Sequence, residues 1–170
     1  MSACSALALW TVLAASASAP IAIAAARPFP LPAVAPVATI DVPEEWGPTA
    51  TGEGVEGAVD NGAVRLSAQY IPVHDVDSAL TATMANVRRR GVSPEAGTRR
   101  SSARRLNGLD ALKVDFSGTD PNGESEITVI LIALPAKAGF VAVAYWGDDE
   151  AQESVGNDLQ AIAESIRPTK

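Results

Sequence analysis

The side chains able to do chemistry are few. His74 is the single histidine among 170 residues. A hydrolase would have to pair it with Ser67, Ser78, Ser101 or Ser102. Such a base serves a serine held on a sharp strand-to-helix turn with flanking glycines, and none of the four has that spacing. A lone histidine just ahead of a helix cap reads as a surface or capping residue, so no catalytic residue is assigned. Walker-type phosphate loops, dinucleotide fingerprints and glycine-rich ATP boxes are absent, and no cofactor is expected. The chain is also too short for a histidine kinase's helix pair plus ATP domain.

Oxygen ligands for a hard cation would have to converge on one point. Three clusters come near that pattern. They are His74, Asp75 and Asp77; Asp148, Asp149 and Glu150; and Asp120, Asn122 and Glu124. Pro121 and an early Gly123 break the third as a calcium loop. The other two precede helices, where acids cap the first turn and oppose the helix dipole. No metal site is assigned.

Charge offers a candidate surface. The formal net charge is −7, which argues against a nucleic-acid binder. Yet seven of the thirteen basic residues, Arg88, Arg89, Arg90, Arg99, Arg100, Arg104 and Arg105, fall in one short stretch, with Glu95 alone opposing them. Such asymmetry can mark a docking patch for an anionic partner. The competing and stronger reading is a solvated helix end, since cations are favoured near a helix C-terminus. Trp46, Tyr70, Tyr145 and Trp146 are the aromatics that could line a ligand groove, with core packing the default for aromatics on strands.

The elements that must position these residues begin after an address. Ser2 to Ala26 carry no charge, centre on Leu7, Leu9, Trp10, Val12 and Leu13, and end in small residues. That is the pattern of a secretory signal peptide, and it places the rest outside the cytoplasm, periplasmic or secreted. The alternative is an uncleaved anchor, since about 20 apolar residues span a bilayer. Once the segment is removed, no cysteine remains, which suits an oxidising compartment.

Residues 27–37 hold four prolines, and they read as an extended linker or disordered arm. Residues 38–168 then form one domain of ordinary size. Ala38 to Val42 ends at Pro43 and reads as an edge strand. Asn61-Gly62 joins strands Val55–Asp60 and Ala63–Ile71, a hairpin signal because both positions tolerate positive φ. Asp75 or Asp77 caps a helix over Ser78 to Arg90, with Val76, Leu80, Met84 and Val87 on one face and Gly91 at its end. Strands at Thr98–Leu106 and Ala111–Gly118 flank Asn107-Gly108. In the second, Leu112, Val114 and Phe116 alternate with Lys113, Asp115 and Ser117. Glu126–Leu134 and Phe140–Trp146 are apolar on both faces, so they are central and covered on both sides. A last helix runs from Asp149 to Ile166. The order βββαββββα with hairpin turns implies an α+β fold, a mostly antiparallel sheet with a helix on each face.

The start TIDVPEEW, the helix after Asp75-Val76-Asp77, the LNGLDA turn and the ending DLQAIAESIRP resemble the PsbP-type and DcrB-like sandwich proteins. The resemblance covers roughly Ala38 to Pro168. It implies a small exported domain that binds a partner rather than catalysing. The expected role is therefore a non-catalytic binding or accessory module of the cell envelope. Its partner would be an unidentified protein or envelope component, not nucleic acid, and a membrane only if residues 1–26 stay attached. A hydrolase using His74 and a membrane-anchored structural protein are the alternatives.

Overall fold

A computed structural model describes residues 25–169, apart from the side chain of Lys137. The expected signal or anchor segment, residues 1–26, lies outside them save for its last two residues. Strands run in the order β1 (Ala26–Leu31), β2 (Ala38–Pro43), β3 (Thr49–Ala50), β4 (Gly54–Val59) and β5 (Val64–Ile71). Helix α1 (Val76–Arg89) follows, then β6 (Ser93–Pro94), β7 (Arg100–Leu106), β8 (Leu109–Asp120), β9 (Gly123–Ala133) and β10 (Phe140–Gly147). The chain ends in α2 (Asp149–Ser154), α3 (Gly156–Glu164) and β11 (Arg167–Pro168). The main sheet has the order β3-β4-β5-β10-β9-β8-β6, with β7 also paired to β8, and every pairing is antiparallel.

Alternation along β9 and β10 divides the core into two. Ile127, Val129 and Leu131, with Ala142, Ala144 and Trp146, pack with Ala79, Leu80, Met84 and Val87 of α1. Ile130 and Ile132, with Val141 and Val143, pack with Leu159, Ile162 and Ala163 of α3. The two strands read as apolar on both faces are therefore covered on both faces. The architecture is the expected α+β sandwich, with one addition. On the α3 side, a second sheet of order β1-β2-β11 shares the cover, contributing Phe29, Leu31, Ile40 and Val42 to the same core.

That second sheet corrects two expectations. Residues 27–37 are not simply a linker, because Ala26–Leu31 pairs in full with Ala38–Pro43, from Ala26↔Pro43 to Leu31↔Ala38. Phe29 and Leu31 point inward, alternating with Pro28 and Pro30, and on an outer strand a proline's missing N–H can face away from the ladder. Consequently Ala38–Pro43 is not an edge. It lies between β1 and β11, and Pro43 stands at its last position. The last helix is also two. Val155 leaves helical geometry at φ −108° and ψ 13°, immediately before Gly156. Glycine is a poor helix former. The Gln152 side-chain amide also ties α2 to β9 and to the end of β10, donating to the carbonyls of Glu126 (2.7 Å) and Gly147 (3.0 Å).

The cap of α1 is Asp75, whose Oδ1 accepts the Ser78 N–H at 2.8 Å. That backbone bond first, and the Ser78 hydroxyl second, hold the Asp75 carboxyl below its ordinary pKa. The folded state thus binds the proton less readily than the unfolded chain. The cap contributes its stability above the unfolded pKa and loses it as pH falls below about 4. Asp75→Asn, which caps without titrating, is expected to match wild type in urea midpoint near pH 7 and to lose less of it at pH 3. Parallel losses in the two proteins would show that Asp75 does not titrate in the cap.

Candidate functional site

The main sheet is covered unevenly on its α3 side. Strand β8 carries Lys113, Asp115 and Ser117 on that side, where β9 carries Ile130 and Ile132. The helices cannot close over such polar positions, so a cleft remains between the β7–β10 surface and α2–α3. Its volume is about 610 Å³. Leu106, Ile130, Tyr145, Leu159 and Ala163 supply apolar floor and flanks.

Register decides which charges enter it. Directly opposed residues in an antiparallel pair share a face. Arg100 opposes Asp115, Ser102 opposes Lys113 and Arg104 opposes Ala111. Ala111 belongs to the α3-side core, so Arg100, Ser102 and Arg104 face the cleft. Lys113 stands across from Ser102, diagonal to both arginines, and the three cations form one wall. Asp149, Glu153 and Glu164 line the helical side. Both ends are pinned by bonds from a side chain to the backbone. Asn107, in the β7–β8 turn, donates to the Ile166 carbonyl at 3.1 Å. Gln152 makes the bonds described above at the other end.

Local pairing holds the strand side in place. Lys113 Nζ meets Asp115 Oδ1 at 2.8 Å, and the Thr128 hydroxyl donates to the same oxygen at 2.7 Å. The Ser117 hydroxyl donates to Glu126 Oε1 at 2.8 Å, while Arg100 reaches Glu126 only at 4.0 Å. Arg104 donates to its neighbour's carbonyl, that of Ala103, at 3.3 Å. Among the described residues it makes no ion pair.

The arginine run read from sequence is therefore divided. Arg88, Arg89 and Arg90 end α1 on the other side of the sheet. Arg90 pairs with Glu56 of β4 and also donates to the Asn86 carbonyl at 3.0 Å, while Arg89 bonds the Asn86 side chain. Arg105 opposes Asp110 and meets its carboxylate at 3.9 Å, away from the cleft. Arg99 precedes β7 and donates to the Ser101 hydroxyl at 3.4 Å. Only Arg100 and Arg104 come together in the cleft, and Lys113 joins them. The sequence reading left Lys113 out, although its alternation with Leu112 and Val114 marks it as facing away from the α1 core.

The other candidates do not assemble into a second site. Trp46 and Trp146 are buried, Tyr70 bonds the Ala138 carbonyl, and Tyr145 alone of the four aromatics lines this cleft. Ser101 and Ser102 sit on β7, and β10, β9 and β8 separate it from β5, whose end leads to His74. Ser67 is buried mid-strand, and Ser78 bonds the capping Asp75. Asp120 accepts the N–H groups of Asn122 (2.6 Å) and Gly123 (3.2 Å), closing its own turn, and Asp148 caps α2 through the Ala151 N–H at 3.1 Å. Among the described residues no group of three His, Cys, Asp or Glu side chains is placed to hold a metal. No helix there is long and apolar enough to cross a membrane.

By sequence, no protein family and no curated protein matches the chain. Solved structures do match by shape. LpqN of Mycobacterium tuberculosis, involved in cell envelope biogenesis, superposes with a TM-score of 0.53 at 13% identity, covering 85% of this chain and 92% of LpqN. Cyanobacterial PsbP (CyanoP) from Synechocystis sp. PCC 6803 gives 0.52 at 12% identity, covering 90% and 98%. The fold is PsbP-like. At such identities the likeness is one of fold, and the cleft of this PsbP-like chain rests on its own residues.

Proposed function

We propose that this chain is an exported, non-catalytic binding or accessory module of the cell envelope, and that it engages its partner through the cleft. The observation that carries the reading is the cleft itself. It is an open, two-signed site with an apolar floor, on a sheet whose central strands β9 and β10 are covered on both faces. Large pockets with a few convergent polar groups are where ligands and partners bind. The uncharged apolar stretch Ser2 to Ala26 supports export. The fold shared with an envelope-biogenesis protein supports the compartment by analogy of fold alone.

Photo-cross-linking in the native cells tests this. A photo-reactive residue at Gln160, on the cleft rim, is expected to give a discrete adduct in the envelope fraction. The same residue at Ser78, on α1, is expected to give none. Adducts from Ser78 alone, or adducts confined to the cytoplasm, would contradict the reading.

A further inference from the structure

Resting on the cleft as the binding site, we infer that its partner is an extended acidic polypeptide segment that adds as a strand along the open edge of β7. Among the described residues β7 pairs with β8 alone, so its outer backbone N–H and C=O groups lack a strand partner. An open edge is a template for a further strand. Main-chain bonds then give affinity and alternate side chains give specificity.

The alternation here has a sign. Arg100 and Arg104, two pleats apart, both face the cleft, and Ser102 stands between them. A strand laid beside β7 would place every second side chain on that same face. Carboxylates there would meet Arg104, which has no ion pair among the described residues, and Arg100, whose side chain is 73% exposed with Glu126 at 4.0 Å. The added strand lies about 4.8 Å beyond β7, farther from the acidic helical wall. An anionic membrane surface would span both walls and meet Asp149, Glu153 and Glu164 as well. A second copy of the chain is disfavoured for another reason. Pairing β7 with β7 sets arginines against arginines, and like charges directly opposed destabilise a sheet.

The test uses the whole protein and a fluorescent peptide of alternating glutamate and valine, read by anisotropy. Two further peptides carry N-methyl groups, one on the glutamate amides and one on the valine amides. With glutamates fixed toward the cleft, one set of amides points at β7 and the other points away. One methylated isomer is expected to bind at least about tenfold more weakly than the parent, because several main-chain bonds are lost, and the other to bind like it. The exposed double variant Arg100→Gln/Arg104→Gln, which sets no like charge against Asp115 or Glu126, should weaken the parent peptide on the order of tenfold, without shifting the melting temperature. Equal binding of both isomers would overturn strand addition. So would binding to phosphatidylglycerol vesicles with no saturable peptide binding. A discrete adduct from Gln160 together with peptide failure would sink this inference and leave the binding cleft standing. Loss of both would sink the two together.

Discussion

Trp46→Ala is expected to lower unfolding stability by about 3–5 kcal/mol, the cost of emptying a large aromatic site that cannot collapse. Trp46 is 0% exposed and closes the short 3-10 turn after β2. It belongs to the core that joins the small sheet to β4, β5 and α3. The backbone has adapted to it, since a Cβ at Gly57 would stand 3.0 Å from the Trp46 carbonyl oxygen and 3.3 Å from its Cβ. Dispersion contacts carry this residue, because its indole N–H is buried without a partner among the described residues. An unmade bond of that kind is unfavourable. Trp46→Phe keeps most of the ring and removes the orphaned donor, so it should cost much less than alanine. Urea unfolding measures both. Equal losses for Phe and Ala would show that the ring is not what holds the two sheets together.

Leu159→Ala comes next, at about 2–5 kcal/mol. Leu159 is 5% exposed and packs in the core formed by α3 and the inner strands. Helix α3 has nine residues, too few to persist alone, so its helicity depends on this packing. The same side chain lines the cleft. The variant should therefore loosen the helical wall as it loses stability. A Leu159→Ala protein that melts like wild type would show that α3 does not pack on the sheet.

Much of this fold is legible in the residues, and what escapes has physical causes. Asn61-Gly62 and Asn107-Gly108 mark turns because they accept the positive φ that the structure uses at each of these four residues. The doubly apolar β9 and β10 announce two layers. Strand β1 escapes because four prolines outweigh the Phe29 and Leu31 alternation, and pairing with β2 is a tertiary event that no local pattern contains. The break before Gly156 escapes because Val155, Leu159, Ile162 and Ile166 keep helical spacing across it. For the site, the difficulty is parity. Arg99, Arg100, Arg104 and Arg105 are neighbours in sequence, but a strand sends successive side chains to opposite faces. Only the register with β8 shows that Arg100 and Arg104 share a cleft with Lys113. The sequence reading names a cationic region and cannot divide it.

Hydrogen exchange on the protein alone and on the complex recovered with it from envelope membranes tests the central claim most directly. If the cleft is the binding site, protection on complex formation should rise in residues 100–106 and 156–164 and stay unchanged along α1, residues 76–89. Protection confined to α1 and β5, with β7 and α3 exchanging as in the free protein, would place the partner on the opposite face and contradict the account.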